Sequence, residues 1–286
     1  MKKINIIALL TLIILTSSKE IYSQNLHEVM MRATYQIIGF NDEGNYSNGS
    51  CFFVGKPVRH DSTKLYYVLV TARHVLESIT KDEAYIKARI KMSDSTYRVI
   101  DYKIKIRDKG KDLYFTHYDS TIDVATLYIS IPNEFELDLI PSTYLADEEY
   151  LKSIEIHPGD NVFCVGFPLG RPSNDYFFPI LSDGIISSYP ILPIKVYKRI
   201  LLNINIFSGN SGGPIYIHQL GRTIKRTTYM DKFYFKIIGL LASEFINTES
   251  YEVGKIKFTE ITNMKIAVIV PSIYIKEVID SMPELE

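Results

Sequence analysis

The sequence of 286 residues contains no tryptophan and only two cysteines, Cys51 and Cys164. Two cysteines cannot build the disulfide framework of small secreted domains, so a hydrophobic core has to stabilise this fold. The sequence leaves open whether the thiols pair or stay free as small buried groups. No His or Cys spacing typical of a metal site occurs, and we expect no metal.

The chain also has little net charge and no apolar run long enough to span a membrane. It has 32 Lys and Arg residues against 33 Asp and Glu residues, a net charge of -1. A basic face is therefore not indicated, and we expect no nucleic-acid partner. A membrane-spanning helix requires about 20 apolar residues, whereas the apolar stretch at residues 6–15 is half that length.

That stretch has the layout of a secretory signal peptide. Lys2 and Lys3 precede it, and small residues follow at positions 16–18. We expect cleavage after Ser23, so that residues 1–23 are removed, no stable membrane anchor remains, and the protein is periplasmic or secreted. The sequence does not indicate the oligomeric state.

The remaining chain consists of short runs rich in Ile, Val, Tyr and Phe, separated by turn residues, which predicts an all-β fold. Six strands are expected in each half, with a boundary near residue 142 that divides the chain into residues 24–142 and 143–286. Helices are expected after Asn25 and over residues 272–281. The predicted strands are 34–40, 50–54, 65–71, 85–91, 97–106, 124–129, 161–166, 182–189, 199–206, 214–218, 233–242 and 265–270.

The segment 209–214, Gly-Asn-Ser-Gly-Gly-Pro, is the sharpest motif. A serine becomes a nucleophile when a base removes its proton and preformed donors stabilise the oxyanion. Gly209 can adopt a backbone conformation closed to other residues, which would aim its N–H and that of Ser211 at one point. We therefore predict Ser211 as nucleophile and these two amides as the oxyanion hole; a plain glycine-rich turn is the alternative.

A general base and an orienting carboxylate complete such a site. Among the six histidines, His74 is favoured because it closes a predicted strand; the other five are expected at the surface or at caps. Asp123 opens the predicted strand 124–129 and is favoured over its rival Asp119, which lies in a polar loop. An exposed hairpin tip is predicted at residues 221–232, which include Arg222.

His74, Asp123 and Ser211, in this order, resemble the trypsin-like serine peptidases over nearly the whole chain. Residues 119–125, 159–170 and 182–187 are similar to the bacterial high-temperature-requirement branch of that family. Members of that branch often carry a PDZ domain after the protease, and we expect none here. Asn210 replaces the aspartate that pairs with a new amino terminus in digestive relatives, so we expect a site formed by folding alone.

The resemblance implies two six-stranded antiparallel β-barrels with the catalytic groups in the cleft between them. It implies hydrolysis of a peptide or protein substrate through an acyl-enzyme, without a cofactor. By the same resemblance, Asn205 lies at the base of the specificity pocket, with Ala242, Ser243 and Glu244 on its wall. A neutral Asn205 argues against strict choice of Lys or Arg, while Glu244 either attracts a basic side chain or faces solvent.

Two other functions are alternatives to the exported serine endopeptidase. A catalytically silent peptide-binding or scaffolding protein would keep the fold, but the presence of all three residues argues against it. An esterase normally carries its serine before the histidine in the chain, so the order here opposes that function.

Overall fold

The computed structural model describes residues 26–253 and 256–285. The predicted signal peptide, residues 1–23, lies outside this part of the chain. Among the described residues, no helix is both long and apolar enough to span a membrane.

The first half folds into an eight-stranded sheet with the order β5-β4-β1-β2-β3-β9-β8, and β10 pairs with β2. A helix, α1 (residues 26–33), precedes it, and a two-stranded hairpin, β6–β7, lies beside it. Its elements are β1 (Thr34–Phe40), β2 (Tyr46–Val58), β3 (Asp61–Thr71), α2 (Arg73–Glu77), β4 (Glu83–Lys91), β5 (Tyr97–Lys105), β6 (Arg107–Asp108), β7 (Lys111–Asp112), β8 (Phe115–Thr116), β9 (Ala125–Tyr128) and β10 (Ile140–Pro141).

The second half closes into a barrel with the order β11-β12-β13-β16-β15-β14. Its strand pairs are antiparallel, so each strand runs opposite to its neighbours. Its elements are α3 (Glu148–Ser153), β11 (Asn161–Gly166), β12 (Ile180–Ile186), α4 (Ile194–Tyr197), β13 (Ile200–Ile204), β14 (Pro214–Ile224), β15 (Thr227–Val253), β16 (Ile256–Pro271) and α5 (Ser272–Ser281), with single 3-10 turns at Ser142–Tyr144 and Pro168–Gly170.

The predicted all-β architecture of two barrel-like halves is confirmed, and each predicted strand overlaps an observed one. The first sheet has eight strands instead of the six that were expected. The two additional strands are β8 and β10, and each is two residues long. Such short strands leave no alternating pattern in the sequence and form only where longer neighbours offer a free edge.

The end of the chain returns to the first sheet. After α5, the carbonyl of Met282 accepts a hydrogen bond from Nζ of Lys56 on β2 at 2.7 Å. The carbonyl of Pro283 accepts one from the hydroxyl of Tyr128 on β9 at 2.8 Å. The two halves are thus joined both by the connection near residue 142 and by this C-terminal clasp.

The structure shows the state of the two cysteines and the position of Arg222. Cys51 and Cys164 are both free and buried, so no disulfide joins them. Arg222, predicted in an exposed hairpin tip, is instead buried on β14, because Nη2 donates to Oδ2 of the buried Asp160 at 2.6 Å. The prediction of exposure came from the charged residues around Arg222 in the sequence. The ion pair with Asp160 is a contact with a distant residue, and it accounts for the burial of the Arg222 side chain.

Candidate active site

His74 lies just beyond the end of β3. It was predicted to close that strand, but the strand ends at Thr71 and His74 is the second residue of α2. Val75 and Leu76 of this short helix are buried and fix it against the core. The imidazole remains about half exposed, with 47% of the side chain accessible. A rigid backbone therefore carries a partly exposed imidazole.

Asp123 binds His74 through both carboxylate oxygens. Oδ2 lies 2.6 Å from Nδ1 of the imidazole, and Oδ1 accepts the backbone N–H of His74 at 3.0 Å. The ionised carboxylate only accepts, so Nδ1 carries the proton and Nε2 keeps its lone pair. The imidazole is thus held in the tautomer that can take a proton from an alcohol.

The charge state of Asp123 follows from its surroundings. Burial by itself would raise the pKa of its carboxyl, but the hydrogen bonds and charge of His74, together with the charge of Arg73, outweigh burial and lower the pKa. The lowered pKa keeps Asp123 ionised. Its rival, Asp119, lies apart and forms an ion pair with Nζ of Lys198 at 2.7 Å.

The loop that carries Ser211 leaves two backbone donors unused. The N–H groups of Asn210, Gly212 and Gly213 donate to the carbonyls of Phe207, Leu241 and Asn210. Within the described part of the chain, the N–H groups of Gly209 and Ser211 have no such acceptor. These are the two amides that the sequence predicts for an oxyanion hole.

Gly209 has the left-handed backbone that was expected of it, with φ of +96°. A Cβ at this position would lie 2.4 Å from the carbonyl oxygen of Phe167, so no other residue fits without movement. Its own carbonyl accepts the hydroxyl of Ser50 on β2 at 2.8 Å. The first sheet thereby holds the loop of the second barrel in place.

Ser211 lies next to the segment that leads into α2. Its carbonyl accepts the N–H of Ser50 at 2.8 Å. A Cβ on the adjacent Gly212 would lie 2.9 Å from the backbone nitrogen of Ala72, two residues before His74. The structure thus brings the serine loop of the second barrel close to α2, the helix of the first half that carries His74.

The hydroxyl of Ser211 does not donate to the imidazole in this arrangement. Oγ instead makes a long hydrogen bond of 3.5 Å to the carbonyl of Ala242. Among the described residues no hydrogen bond links Ser211 to His74.

A cavity of about 450 Å³ opens beside Asp123. It lies between the turn before β9, the segment after α4, and strands β15 and β16. Ala242 and Ser243, both predicted on the wall of the specificity pocket, line it. Other lining residues include Thr121, Lys198, Arg199 and Val268.

The remaining predicted pocket residues have different surroundings. Asn205 is exposed, and Glu244 is partly buried. Burial raises the pKa of Glu244, opposed by a hydrogen bond of 2.6 Å from Nδ2 of Asn263. The same Nδ2 donates to the carbonyl of Ile206 at 2.6 Å. Sequence reasoning missed Asn263 because only the pairing of β15 with β16 brings it to this wall.

One histidine prediction was wrong. His117 is buried rather than exposed, with Nε2 2.9 Å from a carboxylate oxygen of Glu277 on α5. Its Nδ1 accepts the N–H of Asp119 at 3.1 Å, so this second His–carboxylate pair fixes the loop that leads to Asp123. The helix that supplies Glu277 is far away in sequence, and no local pattern signals the contact.

Comparison with known proteins places this geometry in context. The family model described as Trypsin-like peptidase domain matches residues 49–224. No curated protein matches the sequence significantly. Among solved structures, the active form of the Rv3671c protease from M. tuberculosis is similar, with 11% identity, a TM-score of 0.47, and coverage of 90% of this chain and 83% of that chain. The protease Anisep from Arthrobacter nicotinovorans has 11% identity, a TM-score of 0.47, and coverage of 86% and 93%.

Proposed function

The chain belongs to the trypsin-like peptidase family, and we propose that it is an exported serine endopeptidase whose catalytic residues are His74, Asp123 and Ser211. The single observation that carries the assignment of residues is the His74–Asp123 pair, with its distance of 2.6 Å. The serine loop, which has two unused N–H groups, lies across the cleft from this pair.

In the proposed reaction, Ser211 Oγ attacks the carbonyl carbon of a peptide bond while Nε2 of His74 takes the hydroxyl proton. Asp123 accepts the Nδ1 hydrogen and stabilises the imidazolium that forms. The N–H groups of Gly209 and Ser211 hold the tetrahedral oxyanion, and each such donor is worth about 3 to 4 kcal/mol.

The intermediate collapses when the imidazolium protonates the leaving amine, which leaves the acyl group on Ser211 Oγ. Water then enters, gives a proton to Nε2 and attacks the ester carbonyl. The acid departs as Oγ regains its proton from the imidazolium. All transferred protons pass through His74, so the cycle returns the site to its initial state.

The hydroxyl position favours a second candidate, a protein that binds peptides without cleaving them. In that function Ser211 Oγ keeps its 3.5 Å contact with the Ala242 carbonyl when peptide is bound. The two functions differ in whether substrate turns the hydroxyl toward Nε2.

Labelling with a fluorophosphonate distinguishes them. We expect the parent and Ser95→Ala to be labelled and to cleave a mixed peptide library, and Ser211→Ala to do neither. Ser95 is a suitable control serine because it is exposed in the turn between β4 and β5 and has no place in the proposed site. Saturable peptide binding without labelling of the parent would identify the binding protein instead.

Export is part of the proposal and rests on Lys2, Lys3 and the apolar stretch at residues 6–15. Expression of the full chain in a bacterial host, followed by N-terminal sequencing of the protein from the periplasm or medium, is expected to show a new amino terminus after Ser23. An intact amino terminus in the cytoplasmic fraction would contradict export.

A further inference from the structure

Arg89 on β4 is a fully buried cation without an anionic partner. Its exposed fraction is 0%, and within the described part of the chain it forms no ion pair. Its guanidinium lies over the rings of Tyr35 and Phe178, with Cζ at 3.9 Å and 4.5 Å from the ring centroids. A buried charge is costly unless hydrogen bonds compensate for the lost water. The segments that supply these hydrogen bonds are therefore held close to Arg89.

Arg89 donates hydrogen bonds to two separate parts of the chain. Nη1 donates to the carbonyl of Phe177 at 2.8 Å, and Phe177 belongs to the connection between β11 and β12 in the second half. Because the guanidinium is planar and rigid, its other hydrogen bonds fix the position of Phe177 relative to the first sheet. Nη2 supplies these bonds at the end of α1 and the start of β1, to the carbonyls of Met31, Arg32 and Thr34 at 3.4, 2.9 and 3.2 Å.

The connection between β11 and β12, residues 167–179, has a second anchor on the first sheet. We refer to it as the linking segment. Nε2 of Gln36, a buried residue of β1, donates to the carbonyl of Gly170 at 3.0 Å. Further along, the N–H of Ser173 donates to the carbonyl of Phe178 at 2.8 Å and closes a compact turn. The first sheet therefore holds the linking segment near both of its ends.

The start of the linking segment contacts the serine loop. The N–H of Leu169 donates to the carbonyl of Ser208 at 2.6 Å. The Ser208 carbonyl and the Gly209 N–H belong to one trans peptide unit, and in such a unit the two groups point in opposite directions. The hydrogen bond from Leu169 therefore fixes the direction in which the Gly209 N–H points.

We propose that Arg89 is a positioning residue for the oxyanion hole. Its hydrogen bond to the Phe177 carbonyl holds the linking segment, so that Leu169 keeps the Gly209 N–H directed at the oxyanion. This inference rests on the proposed function. Because Arg89 is fully buried, it does not contact the substrate and acts only through the linking segment. The first half of the molecule thus sets the direction of a donor that belongs to the second half.

The first test replaces Arg89 with Met, which has a similar length but no charge and no donor. We expect kcat for a cleavable peptide to fall at least about tenfold and KM to change less than about threefold, since loss of a whole oxyanion donor costs about a hundredfold or more in kcat. Arg222→Met is the matched control, because Arg222 is also buried and donates to the carbonyls of Ile154 and Glu155. It is expected to lower the temperature of unfolding and to keep kcat within about twofold, when all proteins are assayed below that temperature. An equal loss of kcat in both variants would overturn the proposal.

A shortened variant removes the same contact from the other side. Replacing residues 174–177 with Asn-Gly joins Ser173 to its partner Phe178 through a two-residue turn and removes the Phe177 carbonyl. The change lies at the surface and leaves the core side chains in place, so it tests the proposal even where Arg89→Met does not fold. We expect a similar fall in kcat, and a double variant that loses no more than either single variant, because both remove one link. An unchanged kcat in the shortened variant, or losses that multiply in the double variant, would contradict the proposal.

An NMR measurement separates this proposal from the proposed function. The backbone amide signal of Gly209 is compared in assigned spectra of the parent and the variants. We expect this signal to shift in Arg89→Met and in the shortened variant, and to keep its position in Arg222→Met. If the parent cleaves no peptide but these shifts occur, the protease assignment fails and Arg89 remains the residue that positions the serine loop. If the parent cleaves peptides and the Gly209 signal is the same in all variants, the proposed function stands and the role of Arg89 is refuted.

Discussion

Asp123 receives two hydrogen bonds from the same residue, one from the imidazole of His74 and one from its backbone N–H, at 2.6 Å and 3.0 Å. The carboxylate therefore fixes both the position of α2 and the direction in which the imidazole faces. One side chain thus positions the helix and orients the imidazole, and substitutions of Asp123 can separate these two roles.

Asp123→Asn keeps the shape but can present an amide N–H to Nδ1, which favours the wrong imidazole tautomer. We expect kcat to fall by about a thousandfold to ten-thousandfold with little change in KM. Steady-state kinetics on a cleavable peptide measures this. Asp119→Asn, which removes an exposed ion pair with Lys198, is the control and is expected to change kcat by less than about twofold. Comparable losses in the two variants would contradict the role of Asp123.

Gly209→Ala tests the oxyanion loop. The new Cβ meets the Phe167 carbonyl at 2.4 Å in a backbone with φ of +96°. Because the loop must move, we expect kcat/KM to fall by at least about a hundredfold. Gly44→Ala is matched in backbone, with φ of +81°, but its Cβ meets nothing within 4 Å. That variant is expected to lose about 1 kcal/mol of stability and no activity.

The buried pair of Arg222 and Asp160 is expected to stabilise the second barrel's native packing. Their side chains are 4% and 5% exposed, so removing one charge leaves the other without compensation. We expect Asp160→Asn to lower the free energy of unfolding by about 3 to 5 kcal/mol in urea denaturation. Asp42→Asn, at an exposed pair with Lys81, should leave the unfolding curve unchanged. An equally small effect at Asp160 would show that the pair is dispensable.

His218 gives the stability a pH dependence. Its Nδ1 lies 2.9 Å from Nε2 of His27, whose Nδ1 lies 2.7 Å from the hydroxyl of Tyr216. Nε2 of His218 is buried and has no hydrogen-bond partner among the described residues. Burial, and then the charge of His27, lower the pKa of His218 to about 4.

His218 therefore stays neutral in the folded protein at pH values between about 4 and 6.5, where the same residue is protonated in the unfolded chain. Stability from this group is complete above about pH 6.5 and declines as the pH falls toward about 4, by about 1 kcal/mol once partial exposure is allowed for. Thermal unfolding at several pH values should show this decline, and His218→Gln should reduce it. Identical slopes for the two proteins would assign the decline to other groups.

Much of the fold could be predicted because its strands are locally encoded. Thr34–Phe40 and Asn161–Gly166 begin and end where their apolar runs do. The extent of β15 and β16 could not be predicted, since polar residues such as Asn247 and Thr248 join the strand only because β16 pairs with them.

The candidate site likewise contains residues that the sequence signals locally and residues that it does not. Gly209 and the strand-flanked His74 and Asp123 carry local signals, so they could be proposed from sequence. Asn263 and Glu277 could not, because each acts on the site from a distant strand or helix. The depth at which Arg222 lies also depends on a partner that the sequence does not identify.

The C-terminal clasp has a consequence for motion between the two halves of the molecule. Lys56 and Tyr128 of the first sheet donate hydrogen bonds to the carbonyls of Met282 and Pro283, which follow the last helix of the second half. Ser50 of the same sheet binds the serine loop through its hydroxyl and its N–H. A hinge motion of one half against the other would break both sets of hydrogen bonds at once, so the clasp and the Ser50 contacts together resist it.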